Sequence, residues 1–375
     1  MEEWKEYKLG EAAIPVRDRI ETSCLDSSSY ISTENMLPNK AGVTLSSGIP
    51  SGNAIKFKNG DVLISNIRPY FKKIWRANKD GGCSADVICL RASNEVDPLF
   101  LYYLLSQDLF FDYVMQGAKG TKMPRGDKNQ IMQWPIMLPS IKEQQDISSI
   151  LKSLDDKIEV NRRINENLEQ QAQALFKSWF VDFEPFKDQP FVESELGMIP
   201  QGWRVKLLGS IIDIKYGKDH KKLLVGDIPV YGSGGLIRYA EKALYSGESV
   251  LIPRKGTLNN VMYVDEAFWT VDTMFYSIPK IANVMPFIYI FLCNRNLSSM
   301  NAGSAVPSMT TEILNNMKLV LPPPDLLGKF NSVFSSLFLK EKKNEIESRR
   351  LAELRDTLLP RLMSGELKVS DIRNI

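Results

Sequence analysis

Two long stretches of the chain repeat apolar residues at spacings of three and four, the signature of a helix with one buried stripe. The first carries Ile147, Ile150, Leu151, Leu154, Ile158, Leu168, Ala172, Leu175, Trp179 and Phe183. This predicts a helix of about 43 residues from Ile141 to Phe183, roughly 64 Å long and stopped by Pro185. The second carries Phe330, Val333, Phe334, Leu337, Leu351, Leu354 and Leu358, and predicts a helix from Asp325 to about Leu359, stopped by Pro360. Elsewhere the apolar runs are short and bounded by Gly, Asn and Pro: DVLISNI, ADVICLR, ESVLIP and NNVMYV read as strands. Residues 98–114 (PLFLYYLLSQDLFFDYV) read as buried helix, with 286–297 as a counterpart.

The second pattern is an internal repeat. Trp4-x-x-x-x-Leu9-Gly10 returns as Trp203-x-x-x-x-Leu208-Gly209, and the strand after Gly60 returns after Gly247. Ser84-x-Asp86 returns as Thr270-x-Asp272, and Pro98 as Pro286. Residues 120–139 lie over 303–322 without a gap, pairing Gly120 with Gly303, Pro124 with Pro307, Ile131 with Leu314 and Pro139 with Pro322. Directly after each final Pro a long helix begins. The fold expected is therefore α+β. Two similar α/β domains are separated by an antiparallel two-helix coiled coil with a pseudo-two-fold repeat, each helix burying its stripe on the other. The stripe lapses midway in both helices, at Asn161 and Asn344, where a polar seam residue would fix register and a solvent-facing one would not.

Charge adds one thing. The 375 residues carry a formal net charge of only +2, but basic residues cluster in loops. Arg68, Lys72, Lys73, Arg76 and Lys79 occur with no acid among residues 66–79. Lys119, Lys122, Arg125 and Lys128 face only Asp127, and Lys215, Lys218, Lys221 and Lys222 face only Asp219. One such cluster is ordinarily a solvated face; three in Gly-punctuated loops favour phosphate contact. Four scattered cysteines and a single histidine, His220 in a charged loop, lack metal-site spacing and leave nucleophilic catalysis little to work with. No apolar run approaches a membrane span, and the charged N-terminal segment lacks a signal peptide's apolar core, so a cytoplasmic protein is expected.

The chain resembles the specificity subunit of type I restriction–modification systems along its whole length. The sharpest matches are ALFKSWFVDFEPF (174–186), SELGMIPQGW (194–203) and ELRDTLLPRLMSGEL (353–367), in the family's order on the duplicated frame. Residues 141–166, opening IKEQQDI, also fit. The distal copy differs, with Leu326-Leu327-Gly328 where the family often has an acidic-Gln pair. The resemblance implies a first target-recognition domain (1–140), a central conserved helix (141–185), a linker and second recognition domain (186–324), and a distal helix with C-terminal tail (325–375). It implies that each domain reads one half of a split double-stranded DNA target and that the helices fix the separation. It further implies docking of two DNA adenine methyltransferase subunits, to which restriction and motor subunits are added. S-adenosylmethionine, Mg and ATP would then be used by those partners, and this chain would hold no cofactor or catalytic residue.

Base reading calls for Arg, Lys, Asn or Gln at groove edges, with neighbouring groups on phosphates. In the first domain the candidates are Asn66, Arg68, Lys72 and Lys73, then Lys119, Thr121, Lys122 and Arg125. In the second they are Lys218, Lys221 and Lys222, then Arg254, Lys255, Thr257, Asn259 and Asn260, then Ser304 and Ser308. An enzyme is disfavoured. The nearest string to an [ND]-P-P-[FYW] motif is Leu321-Pro322-Pro323-Pro324, no Walker loop occurs, and the nuclease-like Asp325 with Glu341-x-Lys343 falls on the predicted distal helix. A coiled-coil protein adaptor explains the helices but not the paired basic loops.

Overall fold

The computed structural model describes residues 4–300 and 308–373. Its contacts divide the chain into two units, Met1–Val160 with Glu347–Ile375, and Asn161–Ile346. The division cuts both long helices, Ile141–Phe180 and Pro324–Met363, so each unit holds half of each.

In the first unit, two four-stranded sheets carry the globular part. One orders Ala13–Pro15, Val87–Ala92, Val62–Ser65 and Ile74–Arg76, all antiparallel. The other orders Arg19–Glu21, Asn53–Phe57, Gly81–Cys83 and Tyr30–Ile31, the last pair parallel. Helices Pro98–Leu105 and Asp108–Gln116 pack beside them, and Asp97 caps the first by accepting from the Leu99 and Phe100 amides. The main core joins Phe100, Leu101, Leu104 and Phe110 to Ile147 and Leu151 of the central helix and to Leu359, Leu362 and Met363 of the distal one.

In the second unit a six-stranded sheet orders Ile212–Tyr216, Met274–Pro279, Tyr245–Pro253, Met262–Thr270, Ile228–Gly232 and Gly235–Ala240. Its one parallel pair is Ile228–Gly232 with Met262–Thr270. Helix Met285–Cys293 lies between this sheet and the helix pair. Phe176, Phe180, Phe287 and Phe330 make the centre of that core, with ring centroids 4.9 Å apart for Phe180–Phe287 and 5.0 Å for Phe180–Phe330.

The repeat is visible in detail. Each globular part is clasped at its start and end by a two-stranded ladder, Lys5–Lys8 with Pro135–Leu138 and Arg204–Leu207 with Lys318–Leu321. The Leu of the repeated Trp-to-Gly motif is fully buried in both, its amide donating to Trp134 O at 2.9 Å or Met317 O at 2.8 Å. The following glycine has a reason: a Cβ on Gly209 would stand 2.7 Å from Asn315 Oδ1. Asp127 and Thr310, equivalent in the gapless alignment, both cap a short helix, and Ile131 and Leu314 are both buried.

Within each unit the helix segments run antiparallel: Asp155 meets Arg355 in the first, Asn161 meets Asn344 in the second. The asparagines are buried. Asn161 Nδ2 donates to Asn344 O at 3.5 Å, and Asn344 Nδ2 to Asn165 Oδ1 at 2.7 Å, so the stripe lapses into a polar seam. Sequence misjudged several edges of these helices. The central helix ends at Phe180, because the Asp182 amide turns back onto Lys177 O and Phe183 adopts a left-handed φ of 53° that lays its ring on Trp203. The distal helix runs through Pro360 to Met363. The proline costs about 3 kcal/mol in a helix interior, but burying Leu362 and Met363 returns roughly 1.5–3 kcal/mol each. Val333 and Leu354 are exposed, while Phe176 and Phe180 are buried.

One position explains the departure of the distal helix. Gln144 is buried and accepts from the Asp97 amide at 2.9 Å while donating to Glu95 O and Pro139 O. The residue 183 positions later is Leu327, also fully buried. A polar plug in one unit is an apolar plug in the other.

Candidate nucleic-acid interface

In the first unit the strand Val62–Ser65 delivers the chain into a tight basic loop, residues 66–73. Arg68 and Lys72 both take left-handed φ of 50° around the single turn Pro69–Phe71. Asn39 and Lys40 are also left-handed, and their amides donate to Phe71 O and Lys72 O at 2.8 and 3.0 Å. Four non-glycine residues in this conformation are costly, on the order of 1–3 kcal/mol each, and such strain concentrates where a loop is built for binding.

The second basic loop docks on the first. Arg68 N donates to Pro124 O at 2.8 Å, Ile67 bridges Arg125, and Gly126 N donates to Asn66 O. The Lys119 and Arg125 amides exchange hydrogen bonds at 2.9 Å, so residues 120–124 project as a loop. Asn66 is buried, its Oδ1 without a partner among the described residues and 2.9 Å from where a Cβ on Gly126 would stand. Arg68 Nε is likewise buried and has no partner among the described residues.

The charges are partly neutralised within the loops. Lys72 and Lys40 straddle Asp108 at 2.9 and 3.4 Å, Lys119 meets Asp127 at 3.2 Å, and Arg125 meets Asp86 at 3.3 Å. Burial pushes the Asp108 carboxyl up, but the Lys72 hydrogen bond and the two ammonium charges outweigh it and leave it below its usual range. Burial, helped by the charge of Arg68, lowers the Lys73 ammonium, which donates to Thr33 O at 2.7 Å. Thr121 and Lys122 sit exposed on the projecting loop. Beside them Tyr70, Phe71 and Met123 expose large apolar surfaces, with the two rings 4.6 Å apart. These three were missed, although aromatic interleaving of the run Arg68-Pro-Tyr-Phe-Lys-Lys was there to be read.

The second unit repeats the construction. Lys255 bridges Ser308, the position aligned with Arg125, and Met309 N donates to Arg254 O at 2.9 Å. The turn after strand Met262–Thr270 binds both neighbours: Arg254 N donates to Thr273 O and Lys218 N to Thr270 O, at 2.8 and 2.9 Å. Trp269 Nε1 donates to Lys218 O, and a Cβ on Gly217 would stand 2.0 Å from Val271 O. The Arg254 guanidinium lies 5.4 Å over the Tyr216 ring, which is itself exposed. Lys221 and Lys222 are exposed on the adjoining loop, and Thr257 on the loop after Lys255.

Two candidates turn elsewhere. Asn259 donates to Asn296 Oδ1 at 3.3 Å and accepts from the Ser298 amide at 3.0 Å, and Asn260 donates to Ser233 O at 2.8 Å, so both help hold their own loop together. Ser304 lies outside the described residues. The His220 carbonyl accepts from Arg238, and its buried Nδ1 has no partner among the described residues. Asp325 and Glu341 lie on one helix, about 24 Å apart at 1.5 Å per residue, and do not converge. Among the described residues there is no group of three or more potential metal ligands, and no helix is long and apolar enough to cross a membrane.

A family model described as the type I restriction modification DNA specificity domain matches residues 1–170 and 200–354. The MjaIX specificity subunit of a type I restriction enzyme from Methanocaldococcus jannaschii is 31% identical over 302 residues, covering 73% of this chain and 70% of its own. The HindI specificity subunit from Haemophilus influenzae is 25% identical over 460 residues, covering 98% and 100%. Among solved structures, the type I restriction–modification S subunit from M. genitalium gives a TM-score of 0.58 at 18% identity, with 96% of both chains covered, a likeness of fold.

Proposed function

The chain belongs to the type I restriction–modification DNA specificity family, and on that premise we propose that its two basic loop pairs each read one block of a bipartite DNA target. The chain is the specificity component, non-catalytic, of a multi-subunit enzyme. One observation carries the assignment of the reading surface. In both units the loop after a buried strand is bridged to the segment preceding the long helix, at aligned positions, Ile67 to Arg125 and Lys255 to Ser308.

In the first domain, Arg68 and Arg125 read base edges, Asn66 positions the loop, and Lys119, Thr121 and Lys122 hold phosphates. Lys72 and Lys73, engaged with Asp108 and Thr33, shape the loop. In the second, Arg254, Lys255 and Thr257 read bases while Lys218, Lys221 and Lys222 hold phosphates. The helices space the two blocks and dock two methyltransferase subunits in the cytoplasm, with restriction subunits added to that complex.

A genome-wide map of N6-methyladenine in a host expressing this chain with its companion methyltransferase tests the reading. Two short defined blocks around a fixed gap are expected. Arg68→Ala should degrade one block and Arg254→Ala the other. Loss or change of both blocks by either substitution, with the complex assembled, would overturn the assignment. The adaptor reading predicts no salt dependence of DNA binding, whereas phosphate contacts give a steep slope.

A further inference from the structure

The second unit contains a cavity of about 330 Å³ that DNA reading does not use. Its floor is aromatic. Tyr263 stands edge-on to Phe334 and Phe338, with centroids 5.1 and 4.7 Å away, and Tyr289 lies 5.9 Å from Phe334. Leu168, Ala172 and Leu337 complete an apolar wall. Its rim is acidic from three directions: Glu169 on the central helix, Glu341 and Glu345 on the distal helix, and Glu266 on the strand Met262–Thr270.

Against four carboxylates the cavity holds one cation, Lys342, which pairs with Glu266 at 3.5 Å and lies 5.4 Å over the Phe338 ring. The cavity thus already seats a primary ammonium between a carboxylate and an aromatic face, at one end only. The phenol hydroxyls are spent: Tyr263 donates to Glu248 and Tyr231 to Glu266, so neither neutralises the remaining acids. Glu169, Glu341 and Glu345 have no ion pair among the described residues. Burial, with the charges of Glu345 and Glu169 added, pushes the Glu341 carboxyl up to about 7. Lys342, Tyr231, Tyr263, Tyr289 and Cys293 are the other titratable groups lining the cavity besides the acids, and burial holds the three phenols and the thiol above their usual ranges.

We propose that this cavity is a binding site for a linear alkyl diammonium, its methylene chain on the aromatic and leucine wall and its ammonium groups on Glu169, Glu341 and Glu345. The rings favour a cation over a neutral ligand. The carboxylates favour N–H donors over a quaternary ammonium, because only the former make charge-assisted hydrogen bonds. Of its lining residues, Asn260 belongs to a base-reading loop, and the carboxylates that carry the proposal do not.

Isothermal titration of the full chain with putrescine at pH 8 and low salt tests it. Saturable one-to-one binding is expected, weakened at least about tenfold by Glu341→Gln and by Glu345→Gln, the loss of one hydrogen-bonded charge being worth roughly that much. Tetramethylammonium should bind more weakly than putrescine, and lowering the pH to 6 should weaken putrescine binding as Glu341 takes up a proton. Should Glu341→Gln disturb folding, the exposed Glu345→Gln carries the test. Absence of saturation at about 10 mM, or equal affinity in both variants, would overturn the proposal, counterion condensation being indifferent to single sites. Loss of methyltransferase-subunit association in Glu345→Gln without any putrescine binding would also overturn it, and would give the cavity to a partner's side chain.

Discussion

Asp155 ties three elements of the first unit together. Its Oδ2 accepts from the Tyr103 hydroxyl at 2.7 Å and its Oδ1 from Arg355 Nη1 at 2.6 Å, joining the domain helix Pro98–Leu105 to both long helices. Burial and the adjacent carboxylate hold the Tyr103 phenol far above its usual pKa, so it stays a donor. Replacing Asp155 with Ala strands the Tyr103 hydroxyl and leaves Arg355 only its ion pair with Asp356 at 2.8 Å. A hydrogen bond to a charged group is worth about 1.5–3 kcal/mol. Removing one partner of a buried pair costs about 3–5 kcal/mol, which the 22% and 29% side-chain exposure of Arg355 and Asp155 discounts. About 3 kcal/mol is the result, or a roughly 100-fold larger opening equilibrium constant for that helix. Hydrogen exchange by mass spectrometry reads it locally: peptides from Pro98–Leu105 should lose protection, while those from Met285–Cys293 serve as the internal reference. A double-mutant cycle with Arg355→Ala should give a coupling of about 1–2 kcal/mol. Coupling below about 0.5 kcal/mol would show that Asp155 and Arg355 are merely adjacent and would refute the junction.

Lys122→Ala should weaken binding to all DNA sequences alike and lower the slope of log K against log salt by about 1, measured by fluorescence anisotropy. A change confined to one sequence would make it a base reader. Gly217→Ala places a Cβ 2.0 Å from Val271 O, so the turn that carries Lys218 and Arg254 must open. The expected effect is a loss of several kcal/mol in a melt, and failure of the second target block in the methylation map. Glu341 has a raised folded pKa of about 7, so the folded state binds the extra proton. The Glu341 contribution should therefore be full below about 4.5 and be lost as pH rises through about 7, and Glu341→Gln should remove that part of the profile in melts across pH. Asn344→Leu should raise helix-pair stability while relaxing register, visible as extra cross-linked species when cysteines are placed at other facing positions of the two helices.

Periodicity and duplication alone determined the architecture: two long helices, two strand-rich domains, and their order. Those signals survive in sequence because burial on one helix face repeats every three to four residues and because the alignment of 120–139 with 303–322 needs no gap. The basic loops were legible as clusters, and their pairing across each domain was not. Ile67 and Arg125 are 58 positions apart, and only the clasp of Lys5–Lys8 with Pro135–Leu138 and the buried Ile131 bring the second loop back onto the first. Helix ends also escaped. Pro360 reads as a stop in isolation, and only the core waiting for Leu362 and Met363 overrides it. No local pattern announces the bonds of Asn259 to Asn296 and of Asn260 to Ser233, and the acidic aromatic cavity draws on residues from 168 to 345 that no local pattern links. Composition and spacing fix what a segment can bury. Which polar groups remain free to meet a ligand depends on partners supplied by distant chain, and only the tertiary structure decides that.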